Sequence, residues 1–280
     1  MTTRWNHSEP FTRGPGGARY PSLWNGLEFA WMPHLTKGGA TVLDFGPYKR
    51  HGHFVGGLAV SHWVDGEIYG ACLDLSNSDT TDEAAMHCWQ WGSASSVWDT
   101  EQSGHFVKNF HRMTVVAAQK PNDVSATHNV VYGRSYNIPS GAKDCPISLN
   151  VNDNDVETNR HGMFKRDNDN YQGSGSNDTG SADGAWRIVG GRWGNDDKPE
   201  TWTNGVLREK RSAATTAVSN SDNNSVHAAG AFRGATGSKM CDGLLGPVCV
   251  WSRPLEDTEL LTCLNDPFAV IRLAGYYNNE

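Results

Sequence analysis

The stretch Leu244-Leu-Gly-Pro-Val-Cys-Val-Trp-Ser-Arg-Pro-Leu-Glu-Asp-Thr-Glu-Leu-Leu-Thr-Cys-Leu-Asn-Asp-Pro-Phe268 changes its hydrophobic pattern half-way. Up to Trp251 it is an apolar run with β-branched and aromatic residues, and the run stops at Arg253-Pro254. Beyond the proline, Leu255, Leu260, Leu261 and Leu264 are spaced to share one face of a short helix. The pattern predicts a buried strand handing over to one short helix. Glu256, Asp257 and Glu259 then fall at the helix start, where acids favour the exposed N–H groups and the dipole.

Working outward, similar short apolar runs recur at residues 28–31, 69–75, 113–118, 129–132, 186–189, 226–232 and 248–251, with no sustained helical period before Leu255. The chain has 280 residues, 37% hydrophobic, with 11 Trp and 31 Gly. Modest aliphatic content and abundant turn formers suit many short strands joined by polar loops. The expected fold class is all-β, a two-sheet antiparallel sandwich whose inner faces take alternate apolar residues. Residues 150–159, 167–183 and 218–224 are crowded with Asp, Asn, Gly and Ser and read singly as solvated loops. Taken as a cluster they read as a ligand-facing rim.

The closing stretch resembles the C-terminal signature of laminin-G-like (LamG) jelly rolls of the concanavalin A-like lectin/glucanase superfamily. There a strand ends in Arg-(Ala/Pro)-Leu, a short helix carries Glu-(Ile/Leu), and Pro-(Phe/Trp) follows. Arg253, Pro254, Leu255, Glu259, Leu260, Pro267 and Phe268 are the matching residues. Near the N-terminus, Asn25-Gly-Leu27 to Trp31, then residues 40–46, His51-Gly52 and Cys72-Leu-Asp-Leu75 are similar to the opening of phage-encoded members. Between these anchors, residues 186–192 with Trp202-Thr-Asn-Gly-Val-Leu207 resemble the central hairpin. Arg50 stands where the family usually has Asn before His-Gly. The resemblance implies a jelly roll over residues 26–270, a docking arm over residues 1–25 and a tail over residues 271–280. It also implies calcium near Asp44, at a family position that often holds a turn-stabilising or ion-linked carboxylate, and oxygen-rich loops suit a hard cation.

Charge narrows the partners. The net charge is −7, and the densest basic stretch, Arg208 to Arg211, is interrupted by Glu209. Phosphate neutralisation has little to work with, so no nucleic-acid partner is expected. No run reaches the ~18 apolar residues of a membrane span, so no membrane insertion is expected. Met1 to Pro21 lacks a signal-peptide core. Its aromatic residues Trp5, Phe11 and Tyr20, separated by Pro, Gly and charge, read as anchors of an arm that orders on a partner. The six cysteines, at 72, 88, 145, 241, 249 and 263, match no zinc spacing. Reduced buried thiols are the primary reading, with a disulfide from Cys241 to Cys249 or Cys263 as the rival. His51 and His53, two apart, would share a strand face, either as a metal-binding pair or as a polar outer surface.

No enzyme is expected. Glycosidases need two carboxylates poised across a bond, and the superfamily's Glu-x-Asp-x-x-Glu pattern is absent; Glu256-Asp-Thr-Glu259 has another spacing and lies on the helix. Nor is there a Gly-x-Ser-x-Gly elbow, a phosphate loop or a His-Glu-x-x-His motif. Candidate ligand-binding aromatics are Trp193 and Trp202, flanking the polar segment 194–201, and Trp89 with Trp91, which should share a sheet face. Two functions compete. One is a virion structural protein, head-decorating or tail-associated and assembled in the host cytoplasm, touching other virion proteins, its own copies and host glycans. The other is a cellular carbohydrate-binding lectin domain, extracellular or at the cell surface by a non-Sec route.

Overall fold

A computed structural model describes residues 12, 14–35, 39–49, 51–55, 60–75, 85–90, 112–121, 128–136, 147–153, 161–167, 170–176, 184–196, 198–210, 212, 225–229, 231–232, 239–240 and 243–274. Within them the chain forms a two-sheet antiparallel jelly-roll sandwich with one short helix, Asp257–Asn265. The first sheet runs, from one edge, Val206–Lys210, Pro199–Thr203, Arg187–Trp193, Thr114–Pro121, Gly243–Trp251, Ala71–Asp74 and Trp63–Asp65. Leu27–Trp31 also pairs with Gly243–Trp251, through Val248 to Trp251, while Ala71–Asp74 takes Leu244 and Leu245. The second sheet runs Asn170–Ser176, His161–Asp167, Ile147–Asp153, His128–Tyr136, Ser225–Ala229, Ala85–Gln90, Gly52–Val55 and Thr41–Val42.

The first sheet is covered on both faces. Phe29, Trp31, Val115, Ala117, Val189, Val248 and Val250 point inward and share a core with Val131 and Ala229 of the second sheet. The alternate residues Ala30, Val116, Ala118, Ile188, Cys249 and Trp251 point outward into a second core. That core is closed by Leu260, Cys263 and Leu264 of the helix, by Leu23 and Trp24, and by the single turn Ala269–Ile271. A strand buried on both faces needs apolar side chains at every position, which explains why Val248-Cys-Val-Trp251 shows no alternation. The helix packs so closely that a Cβ on Gly190 would lie 2.9 Å from Leu264 Cδ2. Glycine there lets helix and sheet approach.

The motif that ends the closing strand has a mechanical role. Arg253 donates from both terminal nitrogens to Glu259, at 2.7 and 2.9 Å. The same guanidinium donates to Asn25 O at 2.7 Å and Ser22 O at 2.9 Å, carbonyls of the N-terminal segment. One planar fork thus joins the end of the strand, the first helical turn and the entry of the chain. Glu256 precedes the helix where the family has Ser, and its N–H is satisfied by Glu259 Oε2 at 3.1 Å, the back-bonding half of a capping box.

Two expectations need correction, and backbone hydrogen bonds cross the expected boundaries at residues 25/26 and 270/271. Thr12 N donates to Ile271 O at 2.8 Å, Arg19 N to Arg272 O at 2.8 Å and Ala274 N to Gly17 O at 3.0 Å. Thr12, Gly17 and Arg19 therefore pair with residues 271–274 beside the outer core. Polar residues 150–159 and 167–183 are not only loops, because Ile147–Asp153 and Asn170–Ser176 are strands of the second sheet. Their pairing is a backbone property that composition does not display. Trp186 is half-buried against Tyr69 (ring centroids 4.7 Å apart), whereas Trp251 is fully buried. Cys72, Cys249 and Cys263 are free and buried, and burial pushes each thiol upward from its usual range. They serve as small apolar fillers, and the rival disulfide to Cys249 or Cys263 is not formed. Among the described residues no helix is long and apolar enough to cross a membrane.

Candidate functional site

Trp193 and Trp202 end on opposite faces of the first sheet. Trp193 closes the strand Arg187–Trp193 and lies in the core between the sheets, 1% exposed. Trp202 faces the outer core, 9% exposed. They flank the turn as the sequence suggests, and both rings are buried. Strand alternation and register set their faces, since Trp193 pairs with Pro199 and Trp202 with Gly190.

Around Trp202 lies a charged ladder that the sequence reading passed over. Arg192, Glu200 and Lys210 are direct cross-strand partners on three successive strands. Glu200 Oε2 accepts from Arg192 Nε at 2.8 Å and from Trp202 Nε1 at 3.3 Å, while Oε1 takes Lys210 Nζ at 2.8 Å. Arg192 Nη1 reaches Leu255 O and Asp257 Oδ1, each at 2.7 Å, and its guanidinium stands 5.9 Å from the Trp202 ring centre. Burial pushes the Arg192 pKa down, and bonds to Asp257 and Glu200 outweigh this, leaving it above its ordinary value. Both Glu200 oxygens are occupied and its side chain is 4% exposed, so the carboxylate does not face a substrate. The cluster locks the helix start to the sheet. Its signal in the sequence is the opposite-charge order Arg-Glu-Lys, visible only once the register is known.

The Asp44 turn is the other polar site. Asp44 is 2% exposed, and its Oδ1 accepts N–H bonds from Ala30 at 2.8 Å and Gly46 at 2.6 Å. Asp44 N donates to His51 Nδ1 at 2.9 Å. Lys49 returns over the turn, its Nζ donating to Phe45 O at 3.3 Å and Gly46 O at 2.8 Å. Tyr48 at the tip is 42% exposed. His51 precedes the strand Gly52–Val55 and bonds into the turn through Nδ1. Among the described residues no three His, Cys, Asp or Glu side chains gather as a metal site.

Trp89 belongs to the strand Ala85–Gln90 and pairs with His227, while Trp91 lies outside the described residues. Of the arm's aromatics, Trp5 and Phe11 also lie outside them. Tyr20 is half-buried against the chain's own outer core, with Arg19 5.0 Å from its ring centre. Trp24 Nε1 donates to Val270 O at 2.9 Å, and Trp251 Nε1 to Leu23 O at 2.7 Å. The described part of the N-terminal segment packs against the chain's own outer core.

No protein-family model matches the chain, and no curated protein matches it. Solved structures do resemble it. Domain 4 of AbnA, a GH43 extracellular arabinanase from Geobacillus stearothermophilus, in complex with arabinotriose, is 15% identical with a TM-score of 0.57; the match covers 85% of this chain and 98% of that one. Trypanosoma rangeli sialidase in complex with sialic acid is 13% identical with a TM-score of 0.52, over 87% of this chain. The chain spans about a third of that sialidase's length, 33%. At these identities the likeness is one of fold, in agreement with the concanavalin A-like sandwich that the sequence motifs imply.

Proposed function

We propose that this chain is a carbohydrate-binding jelly roll without a catalytic role. The observation that carries the reading is the end-to-end match to an arabinanase domain that is itself complexed with an oligosaccharide, 98% of which is covered. A fold hosts many functions, so the fold alone leaves the chemistry open. The polar groups add to it: Asp44 and Glu200, two buried carboxylates, are engaged by backbone, Trp, Arg and Lys donors and hold turns and strands in place. Glycoside hydrolysis by the common two-carboxylate route asks instead for both carboxyl groups to face one cleft. Glycan-array and affinity-electrophoresis measurements with arabinan, neutral glucans and sialosides test the proposal. Retention on at least one class without release of reducing ends is the expected result. Retention on none would overturn the binding role, and turnover abolished by a single Asp or Glu substitution would overturn the non-catalytic one.

The finer placement, a head-decoration or tail-associated virion component that touches host glycans, rests on the likeness of residues 25–52 to phage-encoded LamG-like domains. Mass spectrometry of purified particles tests it, with the chain expected among the stoichiometric components.

A further inference from the structure

The fold family implies calcium near Asp44, and the residues present do not fit that ion. We infer that the turn from Asp44 to His51 is closed by a cation of its own, the Lys49 ammonium, and takes no divalent metal.

Calcium needs six to eight oxygens converging on one point. Here two backbone carbonyls and one carboxylate oxygen of the turn are already committed. The carbonyls of Phe45 and Gly46 both accept from Lys49 Nζ, at 3.3 and 2.8 Å. Asp44 Oδ1 is aimed at the backbone, where it holds the N–H groups of Ala30 and Gly46. Nor is there slack around that atom: a Cβ on Gly46 would lie 2.8 Å from Asp44 Oδ1 and 3.1 Å from Phe29 Cα. A divalent ion at these carbonyls would have to displace the ammonium or sit against a like charge.

The backbone supplies an independent sign. Lys49 has φ of 56°, in the left-handed region. A lysine there is strained relative to the right-handed form, and glycine would avoid the strain. A strained residue persists where its surroundings over-determine it. In this turn the ammonium bonded to two carbonyls is what distinguishes lysine from the easier glycine.

Thermal unfolding of the full chain, with EDTA or with millimolar calcium chloride, separates the alternatives when wild type is compared with Lys49→Gly and Asp44→Asn. Wild-type Tm is expected to agree within about 1 °C in the two buffers, and Lys49→Gly to fall by about 2–4 °C although it relieves the φ strain. Two results would overturn the inference: a calcium-dependent rise of wild-type Tm that Asp44→Asn removes, or a Lys49→Gly variant as stable as wild type or more so.

Discussion

Among single residues, Arg253 and Glu259 bind the most chain together, and their pairing makes stability depend on acid. Burial raises the Glu259 carboxyl, but bonds from Arg253, the Ser22 hydroxyl and the Glu256 N–H outweigh it and hold the group below its usual range. A carboxyl with a depressed folded pKa contributes stability that is fully present above its unfolded value of about 4.3 and is lost as pH falls through the lower, folded value. Glu259→Gln is therefore expected to lower Tm at pH 7 and to flatten the curve of Tm against pH below about 5. Circular-dichroism melts from neutral pH downward check this; an unchanged acid limb would show that the pair adds nothing beyond its solvated cost.

At the level of elements, the segment 14–24 contributes to the cover over the outer face of the first sheet. It places Leu23 and Trp24 in the outer core and is stitched to residues 270–274. Deleting residues 2–24 should bare Leu27, Cys249 and Trp251 and lower Tm by more than about 10 °C, since several large apolar side chains lose their cover at once. A variant melting within a few degrees of wild type would favour the docking-arm view.

Strands that carry a dense apolar run, such as residues 113–118 and 248–251, were legible in the sequence, as was the helix after Pro254. Arg253 and Glu259 were legible through the family motif. The strands Ile147–Asp153 and Asn170–Ser176 were not, because Asn, Asp, Gly and Ser form ladders with the backbone while displaying no apolar period. The opposite faces taken by Trp193 and Trp202 were not legible for a related reason. Which face a tryptophan takes is set by register and by what covers each face, and the outer layer over the first sheet is built from segments far away in the chain.

Across the described residues the arrangement has three layers: the second sheet, the first sheet, and an outer cover made by the helix, residues 14–24 and residues 269–271. The middle layer depends on Gly243–Trp251, which joins Thr114–Pro121 on one side to Leu27–Trp31 and Ala71–Asp74 on the other. Trp24 meets Val270 across 246 positions of sequence, and Trp251 meets Leu23 across 228. This has a consequence in time. During synthesis, strands made early must wait for a partner that leaves the ribosome only after residue 243, and the cover cannot close before residue 271. At ~5–20 residues per second the unpaired edge of Leu27–Trp31 stays open for roughly ten seconds or longer and that of Thr114–Pro121 for roughly six seconds or longer. Nascent chains stalled before residue 243 should be cut by protease between those strands, and chains stalled well beyond residue 274 should resist; equal sensitivity at both lengths would mean that the early strands find another shelter. The last strand laid into the middle layer thus sets the period during which the newborn chain relies on chaperones.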